Sequence, residues 1–185
     1  MKKNSELEKN NLIIKVFVFV VLVLVGILSR YLPHPWNFTP LTAIALFTGA
    51  YFGIRYSFLA VIFIMLGSDM LIGFYEWQMM FAVYGSMLLS GIIGSVMENK
   101  KVLGILSGTL ASSLVFFFVT NWAVWQFGTM YSHSFRGLIE SYFMALPFFK
   151  NSLAGDVLFT GLFFGGRYAI NYSFEKIKSL NRVYL

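Results

Sequence analysis

The feature that most constrains this chain is a succession of apolar runs too long and too closely spaced for a soluble core. The first, residues 11–29, is interrupted only by Lys15. Further runs occupy 41–54, 56–73, 79–97, 102–126 and 151–172, divided by short polar or proline-bearing segments. A helix needs about 20 apolar residues to cross a hydrocarbon core of ~30 Å, so these runs read as six transmembrane helices, the second of them short. Only 12% of the 185 residues are charged, against roughly 25% in soluble domains. The expected fold is therefore an all-α integral membrane protein: one six-span domain over residues 1–185, its helices in a compact bundle. No separate soluble domain fits.

The first run also resembles the apolar region of a signal peptide. No A-x-A cleavage site follows it, so we read it as an uncleaved span. The absence of cysteine excludes disulfides, thiolate catalysis and Cys-ligated metal.

Charge gives an orientation. With both termini cytoplasmic, the inner side carries Lys2, Lys3, Lys9, Lys15, Arg55, Lys100, Lys101, Arg167, Lys176, Lys178 and Arg182. The outer side keeps Arg30, Arg136 and Lys150. Eleven cations against three is the bias expected of cytoplasmic loops, and it explains the net charge of +6 without nucleic acid. The multi-pass reading makes the chain an integral membrane protein with N- and C-termini in the cytoplasm.

Small residues recur every fourth position: Ala45/Gly49/Gly53, Ser86/Ser90/Gly94, Gly104/Gly108/Ser112 and Gly161/Gly165/Ala169. Such stripes let helix backbones approach closely in lipid. Internal packing accounts for them. The sharper reading makes Ala45, Gly49 and Gly53 a docking face for a partner. Residues 127–150 are too polar to span. Leu138, Ile139, Tyr142, Phe143 and Leu146 suggest an extra amphipathic helix lying at the outer surface and stopped by Pro147, either a lid or a passive interfacial element.

Ionisable groups inside a membrane are costly and mark function by default. Asp69 and Asp156 fall near the outer ends of the third and sixth runs. A structural role is open to each: Asp69 paired with Arg30, Asp156 with Lys150 or Arg136. Asn121 and Trp125 share a face of the fifth span, a wall suited to a flat, hydrogen-bonding organic ligand. The outer half also holds Arg30, His34, Trp36, Asn37, Thr39, Arg136 and Asn151, whereas the inner half holds little but Lys and Arg at the membrane edge. That asymmetry points to a ligand site open to the outside. Motifs for hydrolases, zinc proteases or phosphate binding are absent. His34 and His133 sit in separate loops, and Asp69 and Asp156 lack the sequence context of an aspartyl protease dyad. No cofactor and no metal is expected.

The blocks R-x-L-P-H-P-x-N-F-T-P at 30–40, S-D-x-x-x-G at 68–73, T-N-x-x-V-W at 120–125 and P-F-F-x-N-S-L-x-G-D at 147–156 resemble a bacterial family of small multi-span proteins. Its function is unknown, and its members are grouped as transport proteins. The resemblance covers residues 26–168. That family is similar in size, span count and outer-face polarity to the S components of energy-coupling-factor (ECF) vitamin transporters, cobalamin-type ones included. The similarity implies capture of a vitamin-like solute, cobalamin or a related micronutrient, and a separate ATPase module as energy source, since this chain has no nucleotide-binding motif. S components dock through small residues on the first span, whereas here the first span is rich in Val and Leu. The function expected is thus substrate binding for uptake rather than catalysis. The alternatives are a membrane enzyme acting on lipid or lipid-linked substrates, and an accessory subunit of a membrane complex.

Overall fold

A computed structural model describes residues 2–97 and 101–183, with side chains for 12–97 and 101–177. Within them the chain is all-helical: α1 (Lys2–Tyr31), α2 (Leu41–Phe52), α3 (Ile54–Ile72), α4 (Trp77–Ser95), α5 (Val102–Phe127) and α6 (Phe135–Val183). Four stretches are long and apolar enough to cross a membrane: Leu12–Tyr31, Ile54–Ile72, Trp77–Ser95 and Val102–Phe127. α2 is apolar but has only 12 residues. The apolar part of α6 is diluted by Asp156, Arg167 and several glycines. Of the cations assigned to the inner side, Lys2, Lys3, Lys9, Lys100, Lys178 and Arg182 have side chains outside the described set.

The shortest helix lies at the centre. α2 is buried without a break from Leu41 to Ala50 and touches every other helix. Its small residues explain how. A Cβ on Gly49 would overlap the Gly91 carbonyl oxygen of α4, and one on Gly94 would overlap the Leu46 carbonyl of α2. The two backbones therefore cross at a distance only glycine permits. Gly49 thus faces α4 inside the molecule, Ala45 is fully buried, and of the three only Gly53 is exposed. Gly53 (φ 91°) turns the chain straight from α2 into α3, where Ser57 Oγ donates to the Ala45 carbonyl at 2.8 Å.

The other stripes divide. Ser86, Ser90 and Gly94 are buried, and Gly108 packs on Met97. On α6, a Cβ at Gly161 or Gly165 would meet nothing within 4 Å. α1 is peripheral and leans on α3, with Gly26 against Ile64 and Gly67 against Ile27.

The region after α5 differs from the interfacial helix expected there. Residues 128–134 make a turn, and α6 then runs unbroken through Pro147. Its first part doubles back along α5: Tyr142 Oη donates to the Phe118 carbonyl at 3.1 Å, and the Phe117 ring lies 4.8 Å from that of Phe149. Proline removes one backbone donor, and packing against a neighbouring helix makes that loss tolerable in an apolar surround. α5 and α6 therefore form one long antiparallel hairpin, not a span followed by a surface helix.

Candidate functional site

Three turns meet at one end of the bundle: 32–40, 73–76 and 128–134. We call this the loop end. α1, α3 and α5 arrive there, and α2, α4 and α6 depart.

On one side of it, the last turns of α1 and α3 are joined by charge. Arg30 Nη1 lies 2.6 Å from Asp69 Oδ1, with side chains 17% and 1% exposed. This is an ion contact by distance and not an aligned hydrogen bond, since Oδ1 has no partner of hydrogen-bond geometry. Arg30 also donates to Ser68 Oγ and, at 3.4 Å, to the Met65 carbonyl. From α4, Tyr84 Oη donates to Asp69 Oδ2. Asp69 is held in the final turn of α3, whose carbonyl there accepts from Gly73 N–H at 2.9 Å. Gly73 has φ 110°, a conformation open to glycine at a helix end. Tyr75, in the following turn, has its phenol pushed above the usual range by burial and then by the Asp69 charge, with Arg30 acting in the opposite direction.

Across from this pair, Asp156 of α6 is 4% exposed and its Oδ2 accepts from Ser113 Oγ of α5 at 2.6 Å. The loop 32–40 is draped over α6: Gly155 sits under Phe38, and the Phe38 and Phe159 rings are 5.6 Å apart. Asn37 takes φ 58°, which Asn tolerates better than most residues, so backbone geometry alone gives one reason for an asparagine there.

Between these walls lies a cavity of about 360 Å³, lined by Arg30, His34, Asn37, Thr39, Thr42, Tyr75, Ser152 and Asp156, with Leu41, Met65, Ile72, Val83, Met87 and Phe116 as its apolar part. A second cavity of about 230 Å³ shares Asn37, Val83, Phe116 and Ser152 with it and adds Phe117, Thr120, Asn121, Val124, Ala145, Phe148 and Phe149. The two adjoin at these shared residues as neighbouring lobes; the first carries the ionisable side chains Arg30, His34, Tyr75 and Asp156, and the second most of the phenylalanines. Asn121 Nδ2 donates to its own helix, to the Phe117 carbonyl at 2.7 Å, which leaves its carbonyl oxygen and its second N–H for a ligand.

A family model spans residues 10–178. The chain belongs to DUF6580, a family of unknown function. Neither a curated protein nor a solved structure matches it.

Of the residues singled out in this DUF6580 sequence, Arg30, His34, Asn37, Thr39, Asn121 and Asp156 border the two lobes. Asp69 lies behind the wall and acts on the space through Arg30. The others are placed elsewhere. Trp36 is exposed and packs edge-on to Phe148. Trp125 Nε1 donates to the Ser132 carbonyl at 3.0 Å. Arg136 pairs with Glu140 at 3.1 Å on an exposed face, so it does not neutralise Asp156. Asn151 lines neither lobe, and its neighbour Ser152 lines both.

Sequence reasoning passed over Thr42, Tyr75, Tyr84, Ser113 and Ser152. Serine and threonine are common in membrane helices because their hydroxyls can bond their own backbone, and this hides the few, such as Ser113, that do more. Ser152 carried one usable signal: it stands four residues before Asp156, on the same helix face.

Proposed function

We propose that this DUF6580 chain is a substrate-binding membrane transport protein for a small, vitamin-like organic solute. The observation that carries this reading is the two-lobed cavity at the loop end, where groups from α1, α2, α5 and α6 converge. Binding pockets are concave, mostly apolar, and fixed by a few polar groups, and this space has that character. The cation count puts the loop end outside and both termini in the cytoplasm, so the solute enters from the outside. The lobes, about 360 and 230 Å³, lie at and below the lower end of the ~300–1,000 Å³ range of ligand sites. That favours a solute of simple vitamin or amino-acid size over a macrocycle such as cobalamin. Energy comes from a separate module, as in S-component systems, because no nucleotide-binding motif is present in the sequence.

The enzyme alternative receives less support. Asp69 is engaged by Arg30 and Tyr84, and Asp156 by Ser113, so the two carboxylates do not converge as a dyad. The S-component mode of docking through Ala45, Gly49 and Gly53 also loses support. Gly49 is committed to the α2–α4 crossing and Ala45 is fully buried, and the unfilled small-residue stripe is on α6.

The test is growth rescue of vitamin auxotrophs lacking their own uptake system. Rescue by the native chain, lost in Asn121→Ala with the protein still in the membrane, supports the reading. Failure to rescue any auxotroph, or rescue unaffected by Asn121→Ala and Arg30→Met, contradicts it.

A further inference from the structure

The charges around the cavity do not balance. In its polar lobe, Arg30 is already neutralised by Asp69 at 2.6 Å. Asp156 is 4% exposed and borders the same lobe, yet no Lys, Arg or His among the described residues pairs with it. Its oxygen Oδ2 has the Ser113 hydroxyl at 2.6 Å, a neutral donor that orients the carboxylate without cancelling its charge. A buried carboxylate is costly unless it takes up a proton or a positive charge meets it. Here the available space in front of it is the cavity itself.

The neighbouring lobe adds a second, independent preference. Phe116, Phe117, Phe148 and Phe149 line it, and aromatic faces attract cations as well as flat rings. His34 stands exposed at the rim of the polar lobe, with Nδ1 2.8 Å from the Pro35 carbonyl oxygen. Since that oxygen can only accept, Nδ1 carries a proton and is turned to the loop backbone.

Resting on the transport reading above, we propose that the solute is a small organic cation bearing a flat ring, its positive centre against Asp156 and its ring between the phenylalanines of the second lobe. Ser152 and Asn37, shared by both lobes, meet the middle of such a molecule. An inorganic cation would satisfy the carboxylate but leave the aromatic lobe unused.

The experiment offers the purified full chain in lipid nanodiscs an equimolar mixture of thiamine, 1-methylnicotinamide, nicotinamide, pyridoxine, nicotinate and biotin. Retained compounds are identified by mass spectrometry, with sodium as a competing ion in one arm. A ring-bearing cation is retained at least tenfold over its neutral and anionic counterparts, and sodium does not displace it. In Asp156→Asn, which keeps an acceptor for Ser113, that preference falls to within about twofold while the melting temperature stays near the native value. If Asp156→Asn fails to fold, Phe148→Leu gives a second arm, with retention of the cation reduced. Stronger retention of a neutral or anionic compound overturns the charge assignment and leaves the binding reading standing. Displacement by sodium overturns the organic cation in favour of an ion site. Retention of nothing contradicts both readings.

Discussion

Arg30 and Asp69 show how one residue pair can serve the fold and the site together. Asp69 is 1% exposed, so removing its partner leaves a buried charge with only Tyr84 as a donor. Losing one member of such a pair costs about 3–5 kcal/mol, whereas removing both costs much less. Arg30→Met should therefore lower stability in denaturant titrations of the detergent-solubilised protein. Arg30→Met combined with Asp69→Asn should recover most of the loss. Equal losses in the single and double variants would show that the pair contributes little. Tyr75 gives a pH signature at the same place. Its pKa is raised in the folded chain, so the folded state holds the phenolic proton more tightly than the unfolded state. Its contribution to stability is complete below about pH 10, the ordinary tyrosine value, and is lost as the pH rises through the folded pKa. Melting temperatures across pH 9–11 should fall more steeply for the native chain than for Tyr75→Phe.

At the scale of elements, the molecule is arranged around α2, a helix too short to span in isolation and the most buried of all. Its crossing with α4 depends on Gly49 and Gly94. Gly49→Ala should destabilise by roughly 1–3 kcal/mol, as overpacking does. Gly161→Ala, where the added methyl meets open space, should be neutral or gain up to ~1 kcal/mol from helix propensity. Thermal melts of the two variants side by side would check this, and equal behaviour would contradict the crossing. The helices themselves were legible in the sequence, because apolar runs and their breakers are local: 41–54, 56–73, 79–97 and 102–126 correspond closely to α2–α5. Two matters were not. Pro147 and the polarity of 127–150 suggested a stop and a surface helix, but the partner that stabilises a continuous α6 is α5, a tertiary effect. The ladder of α2 showed that something packs closely on it, and nothing local identified that something as α4.

For the whole molecule, asymmetry is the main result. Among the described residues, polar groups gather at the loop end, and towards the opposite end lies an aromatic cluster of Phe47, Tyr51, Phe163 and Phe164, with Arg167 3.9 Å over the Tyr51 ring. Which residues gather at the loop end was largely readable from topology, since alternate helix ends must meet there. Which of them share a cavity was not, because Ser152 and Asn151, or Asp69 and Arg30, differ only in helix rotation. The central claim is that this cavity is an outward-facing binding site, and the absence of cysteine makes a direct measurement simple. Ser152→Cys, at the junction of the two lobes, is treated in intact cells with a small cationic methanethiosulfonate that does not cross membranes. The account predicts rapid modification, slowed by the solute that the chain retains, while Ser90→Cys, buried between helices, stays unmodified. If Ser152→Cys is as inert as Ser90→Cys, or reacts only after the cells are permeabilised, the outward-facing site is contradicted.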